Sequence, residues 1–153
     1  MESNQEFIYI IFIFLICIAS FSGLWLTILF LTSYFGTWSK LYNRYNFPKT
    51  LSQPLLIKKF QSAQIGISNY NAVLTLTFYK EGISFEPIFL FKFAHPKFLI
   101  PWKDIKLNKR SQSIFSWNKL DIGNPPFAKI NVSDNLLETI LAYSEKEETD
   151  DRW

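Results

Sequence analysis

The sequence predicts one membrane-spanning helix followed by a mainly antiparallel β domain that a C-terminal helix closes, an α+β arrangement. Three observations predict it. No charged residue occurs between Glu6 and Lys40, apolar and polar residues alternate along several later segments, and an apolar stripe at helical spacing lies near the C-terminus. This pattern excludes a fully soluble protein, a multi-pass transporter and a disordered chain.

The segment 7–35 is long and apolar enough to cross a bilayer once. Of its 29 residues, 23 are apolar, and about 20 suffice for a hydrocarbon core roughly 30 Å thick. A cleaved signal peptide would have a basic start and a shorter apolar run, whereas this chain begins Met-Glu-Ser-Asn-Gln-Glu. We therefore expect an uncleaved transmembrane anchor over 7–35.

The charges that flank the anchor predict its orientation. Glu2 and Glu6 precede it, whereas Lys40, Arg44 and Lys49 follow it. Because flanks rich in Lys and Arg stay in the cytoplasm, we expect residues 1–6 to be extracytoplasmic and the domain that follows the anchor to be cytoplasmic.

Small residues spaced by four follow one face of the predicted anchor. Ala19, Gly23 and Thr27 would let a second helix approach closely, which indicates self-association through this face. The alternative is that such spacing is common in any membrane helix. The lone Cys17 lies inside the apolar run, where a thiolate is disfavoured, so we expect no reactive role for it.

The juxtamembrane segment 36–48 is predicted to form a short amphipathic turn or helix that ends before Pro48. Its aromatic side chains favour the headgroup region, and each cation contributes about 1 kcal/mol near an anionic leaflet. The alternative is that the aromatic residues pack onto the domain as core. The predicted membrane-interface residues are Trp38, Lys40, Tyr42, Arg44 and Tyr45, joined by Lys58 and Lys59 on the first strand.

Residues 49–144 are predicted to form the β domain and its closing helix. Gly and Pro turns separate short alternating segments at intervals of about 8 to 12 residues, which favours an antiparallel sheet, curled or sandwiched. The predicted strands are 56–67, 73–79, 83–85, 98–100, 104–109, 114–117 and 128–132, with a further apolar run at 88–93.

The final element is predicted to be an amphipathic helix. Ser133, Asp134 and Asn135 form a capping cluster, and Glu138 follows Asn135 at the spacing of a capping box. Residues 136, 137, 140 and 141 form one apolar stripe that covers the sheet. Residues 145–153 form a charged tail that we expect to fray.

Six or seven strands closed by one helix resemble the element order of pleckstrin-homology-like domains over about 55–144. Other residues resemble an uncharacterised bacterial family of short single-span membrane proteins, which implies an anchor, a small β domain and the bacterial inner membrane. No catalytic residue is carried over from that family. The matching residues are Trp38, Leu41 and Tyr45, the Glu81-Gly82 turn, His95-Pro96, Ile100-Pro101-Trp102 and Ile105.

Residues that could perform chemistry are few. The chain has one His and one Cys, so no zinc cluster is available within it, and its five glycines form no phosphate loop. The carboxylates Glu81, Glu86 and Asp104 show no paired spacing. We expect no catalytic residue, metal or cofactor, and structural roles for His95, in a turn, and Trp102, at a strand end.

The charge distribution is the strongest functional signal. Residues 40–119 hold 13 Lys and Arg against 3 Asp and Glu, whereas residues 120–153 hold 3 against 8. A basic domain at a membrane favours contact with anionic headgroups. The alternative is an ordinary solvated surface. Nucleic-acid binding is disfavoured because no strand interleaves cations with aromatic residues. We expect a non-enzymatic module that docks on anionic lipid or on a membrane protein, or alternatively a structural or accessory subunit of a membrane complex.

Overall fold

The chain forms a long N-terminal helix followed by a β domain with a second long helix at its end. The computed structural model describes residues 2–109 and 117–150. Helix α1 (Glu2–Phe35) contains the segment Gln5–Leu31, which is long and apolar enough to cross a membrane and has a mean hydropathy of 2.6. Its apolar side chains are almost all exposed, as a helix in contact with lipid requires.

Gly36 separates α1 from the short helix α2 (Thr37–Arg44), so the juxtamembrane segment, predicted as a turn or a helix, is a helix. Helix α3 (Phe89–Lys92) lies between the third and fourth strands, and a 3-10 helix (Trp102–Asp104) lies between the fourth and fifth. Helix α4 (Asp134–Asp150) ends the domain. The seven strands are β1 (Leu56–Ile65), β2 (Ser68–Phe78), β3 (Gly82–Pro87), β4 (Phe98–Pro101), β5 (Ile105–Lys109), β6 (Asn118–Ile122) and β7 (Ala128–Val132).

The strands form one antiparallel sheet in the order β4-β3-β2-β1-β7-β6-β5. The long strand β1 pairs with β2 from Leu56 to Ile65, and its last residues also pair with β7, where Ala63 faces Val132. The two edge strands, β4 and β5, follow each other in the chain and are joined only by the 3-10 helix. The sheet therefore curls until it is nearly a barrel. The predicted antiparallel sheet is confirmed, and of the two predicted arrangements, curled or sandwiched, the structure has the curled one.

The core lies between the inner face of the curled sheet and two helices. Alternate residues of the central strands are fully buried, and the predicted apolar stripe of α4 covers them through Leu136, Leu137 and Ile140. Helix α2 adds Trp38 and Leu41 to the same core. The segment directly after the anchor is thus a structural part of the β domain.

Two boundaries of α4 differ from the prediction. The helix begins at Asp134, with the amide of Leu137 donating to the Ser133 carbonyl, so Asn135 is the second residue of the helix and does not cap it in the predicted capping box with Glu138. The helix also continues to Asp150, because the Glu and Lys residues of the predicted tail are good helix formers.

Two strand predictions also need correction. The apolar run 88–93 contains the helix α3 and no strand: its residues do not alternate, and no single sheet face would bury them all. The sixth strand begins at Asn118, and residues 114–116 of the predicted strand 114–117 lie outside the described residues.

Candidate membrane-proximal site

Trp38 joins the end of the anchor to the β domain. Its side chain is 1% exposed, and its ring packs edge-on against Phe98 and His95 and at a tilt against Tyr70. Its indole Nε1 donates a 2.9 Å hydrogen bond to the Pro96 carbonyl. The assignment of Trp38 to the membrane interface is therefore wrong, and the alternative, packing as core, holds.

Tyr45 and Tyr42 divide between core and surface. Tyr45 is buried, and burial, followed by the nearby Asp104 carboxylate, raises its pKa to about 12. Its ring lies 5.9 Å from that of Phe127. Tyr42 is half-buried and packs against the core. Tyr45 therefore does not form part of a membrane interface, because its ring is enclosed by the domain.

The predicted interface cations lie in two separate places. Lys40 and Arg44 are exposed on α2 and, with Asn43, line a cleft of about 590 Å³ that Pro125 and Phe127 complete.

Lys58 and Lys59 lie on β1. The Lys58 ammonium donates to Asn135 Oδ1 at 3.0 Å and to Thr139 Oγ1 at 2.7 Å, so it holds α4 against the strand. Lys59 is exposed beside it. Lys58 lies seven residues before Ile65, the last residue of β1, whereas the turn that follows Ile65 is the part that contacts Thr37 at the start of α2, through Gly66. The structure therefore gathers Lys40 and Arg44 but not the β1 lysines.

Helix α3 presents an apolar tip beside the anchor. Phe89, Leu90 and Phe93 are 84%, 64% and 85% exposed. The ring of Phe91, in the same helix, lies 6.1 Å from that of Trp25 in α1. The tip and the anchor form the two walls of an apolar groove of about 630 Å³.

Polar contacts fix the base of this tip. The Lys92 ammonium lies 2.5 Å from one carboxylate oxygen of Glu86, and the Lys97 ammonium lies 3.7 Å from the other. Lys97 also lies 3.9 Å above the ring of Phe47. The Ser33 hydroxyl donates to the carbonyl of Ala94, which ties the last turns of α1 to the end of α3. Helix α3 is therefore attached both to the sheet and to the anchor.

A second cavity, of about 380 Å³, lies between the anchor and the start of β2. Trp25, Ile28 and Leu29 form its anchor wall. Its other lining residues are Ser68, Asn69, Tyr70, Asn71, Val73, Phe91 and His95.

His95 is the most unusual polar group of this cavity. It is 2% exposed, and its Nδ1 atom has no hydrogen-bond partner among the described residues. Burial lowers the pKa of its imidazole, against the opposing effect of the Phe91 backbone, so the ring is neutral at neutral pH. Its backbone amide donates to the Phe91 carbonyl in the turn before Pro96, as its predicted structural role requires.

The remaining candidate residues have structural contacts. Trp102 is buried at a strand end and donates from Nε1 to the Tyr79 carbonyl at 3.1 Å. Glu81 accepts hydrogen bonds from the amide and hydroxyl of Ser52. Within residues 2–109 and 117–150, no group of three or more His, Cys, Asp and Glu side chains gathers as a metal would need.

The small-residue face of the anchor stays a prediction. Ala19 and Gly23 are exposed, and the Thr27 hydroxyl donates to the Gly23 carbonyl at 2.8 Å. A Cβ atom added at Gly23 would meet nothing within 4 Å. This face therefore has room for a second helix.

The apolar tip and the polar cavity were not predicted from the sequence. The available signal was the run 88–93, whose lack of alternation is unusual for a half-buried strand. The β2 residues 68–71 gave no signal, because only the fold brings them beside the anchor. Comparison with family models, with curated proteins and with solved structures gives no match.

Proposed function

We propose that this chain is a single-pass protein of the bacterial inner membrane, with its N-terminus outside and its domain in the cytoplasm. The domain is a pleckstrin-homology-like, non-enzymatic module that docks on anionic lipid or on a membrane protein beside its own anchor. The supporting observation is the continuous apolar surface formed by α1 and the tip residues Phe89, Leu90 and Phe93.

The length of α1 supports contact between the tip and the bilayer. Its 34 residues extend about 51 Å, whereas the hydrocarbon core is roughly 30 Å thick. The last turns of α1 therefore reach the headgroup region, and the tip lies next to Phe21, Trp25 and Leu26, five to ten residues before the end of the apolar segment at Leu31. At that depth the exposed tip residues enter the cytoplasmic leaflet.

The energetic balance favours insertion. Removing an exposed Phe or Leu side chain from water contributes roughly 1.5–3 kcal/mol, and the tip supplies three such side chains. Lys40 and Arg44 are exposed on α2 and contribute about 1 kcal/mol each where they approach anionic headgroups. Apolar insertion is thus the larger contribution and electrostatic attraction the smaller one.

The test is the depth of the tip in a bilayer. The full chain carries Cys17→Ser and Phe93→Cys, is labelled with a polarity-sensitive fluorophore, and is reconstituted into vesicles of phosphatidylcholine and phosphatidylglycerol. We expect quenching by acyl-chain nitroxides and protection from aqueous iodide.

The matched control is Ile57→Cys, because Ile57 is an exposed apolar residue of β1 and should be quenched by iodide alone. Equal iodide quenching at both positions would contradict docking on the bilayer.

One observation favours the second candidate, a structural or accessory subunit of a membrane complex. Among the described strands, β5 pairs only with β6, and its Leu107 is exposed. Such an edge can accept a strand from a partner. Affinity purification of the full chain that recovers one stoichiometric membrane protein, lost on Leu107→Lys, would favour this candidate over lipid docking.

A further inference from the structure

We propose that the anchor and the domain together bind one membrane lipid. An acyl chain occupies the apolar groove between α1 and α3, and an uncharged, hydroxyl-bearing headgroup such as a sugar occupies the neighbouring polar cavity. This inference rests on the proposed function, because it needs the tip of α3 to lie in the leaflet.

The groove has the chemistry of an acyl-chain site. Six of its seven lining residues are large and apolar, and they come from two helices that face each other. The anchor wall belongs to the segment that is long and apolar enough to span a membrane, and on our proposal lipid chains reach the groove without crossing water. The lining residues are Phe21, Ser22, Trp25, Leu26, Phe89, Leu90 and Phe93.

The groove and the polar cavity are neighbours on the same anchor face. Trp25 lines both of them, and the cavity continues toward the domain along Ile28 and Leu29, one turn closer to the C-terminal end of α1. Its volume of about 380 Å³ lies within the range of about 300–1,000 Å³ for small-molecule sites. An amphiphile thus meets mainly apolar walls first and then a cavity in which five of the ten lining residues carry polar side chains, in the order of its own tail and headgroup.

The polar side chains that line the cavity favour an uncharged headgroup. None of the cavity residues is Lys, Arg, Asp or Glu, and the buried His95 is neutral at neutral pH. A charge that leaves water without an opposite charge is costly. Ser68, Asn69 and Asn71 each donate and accept hydrogen bonds, as hydroxyl groups do.

The experiment measures which lipid the full chain retains. Nanodiscs contain equal amounts of glucosyl-diacylglycerol, phosphatidylglycerol, phosphatidylethanolamine and phosphatidylcholine with identical chains, and native mass spectrometry identifies the lipid that stays bound. We expect one retained glucosyl lipid, and phosphatidylglycerol, which has hydroxyl groups but also a charge, in second place.

Variants connect that preference to the cavity. The double variant Asn69→Ala/Asn71→Ala should lower the preference for the glucosyl lipid about fivefold for each hydrogen bond lost. Asn43→Ala is the matched control, because Asn43 is an exposed asparagine of α2 that lies outside the cavity.

Equal retention of the four lipids, or a preference that the double variant leaves unchanged, overturns this inference. The fluorophore at position 93 separates the two proposals. Protection from iodide without lipid preference leaves the proposed function standing alone. If iodide quenches the fluorophore at position 93, both proposals are contradicted.

Discussion

Replacing Trp38 by alanine is expected to destabilise the whole β domain, although this residue comes directly after the long apolar helix α1. The indole is 1% exposed and lies between the rings of Tyr70, His95 and Phe98. It therefore holds together α2, β2 and the turn that follows α3, three segments distant in sequence. An interfacial tryptophan would instead pack mainly against lipid.

The magnitude follows from the packing that is lost. Truncating a buried aromatic residue to alanine costs about 3–5 kcal/mol, and small domains are stable by only about 5–15 kcal/mol. Trp38→Phe keeps most of the ring contacts but leaves the Pro96 carbonyl without its 2.9 Å hydrogen bond, at a cost of about 1–3 kcal/mol. We therefore expect the order wild type, Trp38→Phe, Trp38→Ala in decreasing stability.

The assay is urea denaturation of the full chain in detergent micelles, followed by near-ultraviolet circular dichroism, which reports aromatic packing in the domain. Lys40→Ala is the matched control, because Lys40 is exposed on the same helix and its loss should change stability by no more than about 0.5 kcal/mol. If Trp38→Ala were as stable as Lys40→Ala, Trp38 would not be a core residue and the interface assignment would return.

Two further predictions concern stability. Gly82→Ala should lower the free energy of unfolding by about 2 kcal/mol or more, because the new Cβ would lie 2.1 Å from the Ile100 carbonyl oxygen of the paired strand. Gly23→Ala is the control and should leave stability unchanged, because a Cβ there meets nothing within 4 Å. Equal melting temperatures of the two variants in thermal melts would refute the clash. Burial lowers the pKa of His95, so below its ordinary value of about 6.5 the unfolded chain gains a proton that the folded chain does not. Stability present at pH 7.5 should fall toward pH 5 more steeply in wild type than in His95→Phe, and parallel urea midpoints would contradict this.

The elements of the domain were largely predictable, because they are set by local periodicity. Alternation located most strands, and the apolar stripe Leu136, Leu137 and Ile140 located the closing helix, since both patterns reflect one buried face. Helix boundaries were less predictable. Both Ser133 and Asn135 are good capping residues, and the choice between them depends on where β7 ends.

The positions of aromatic residues relative to lipid and core were not predictable from the sequence. Trp38 and Phe89 are both large aromatic residues, yet one is enclosed by the domain and the other is 84% exposed. The difference arises from pairing between distant segments: Trp38 meets Pro96, 58 residues away, and Ser33 meets Ala94, 61 residues away. No local sequence pattern predicts contacts over such separations. The cavity beside His95 depends on these contacts, so it could not be predicted.

The anchor also determines how the domain is oriented. Only Gly36 lies between α1 and α2, and Thr37 packs so closely against the β1–β2 turn that a Cβ atom at Gly66 would lie 1.9 Å from its hydroxyl. Gly66 also has a φ of 61°, a conformation that favours glycine. With Ser33 bound to Ala94, these contacts leave no flexible linker that would let the domain turn independently of α1. On our proposal, the depth of α3 in the leaflet is therefore set by core packing, and a longer linker at Gly36 should abolish lipid selectivity while leaving the β domain folded.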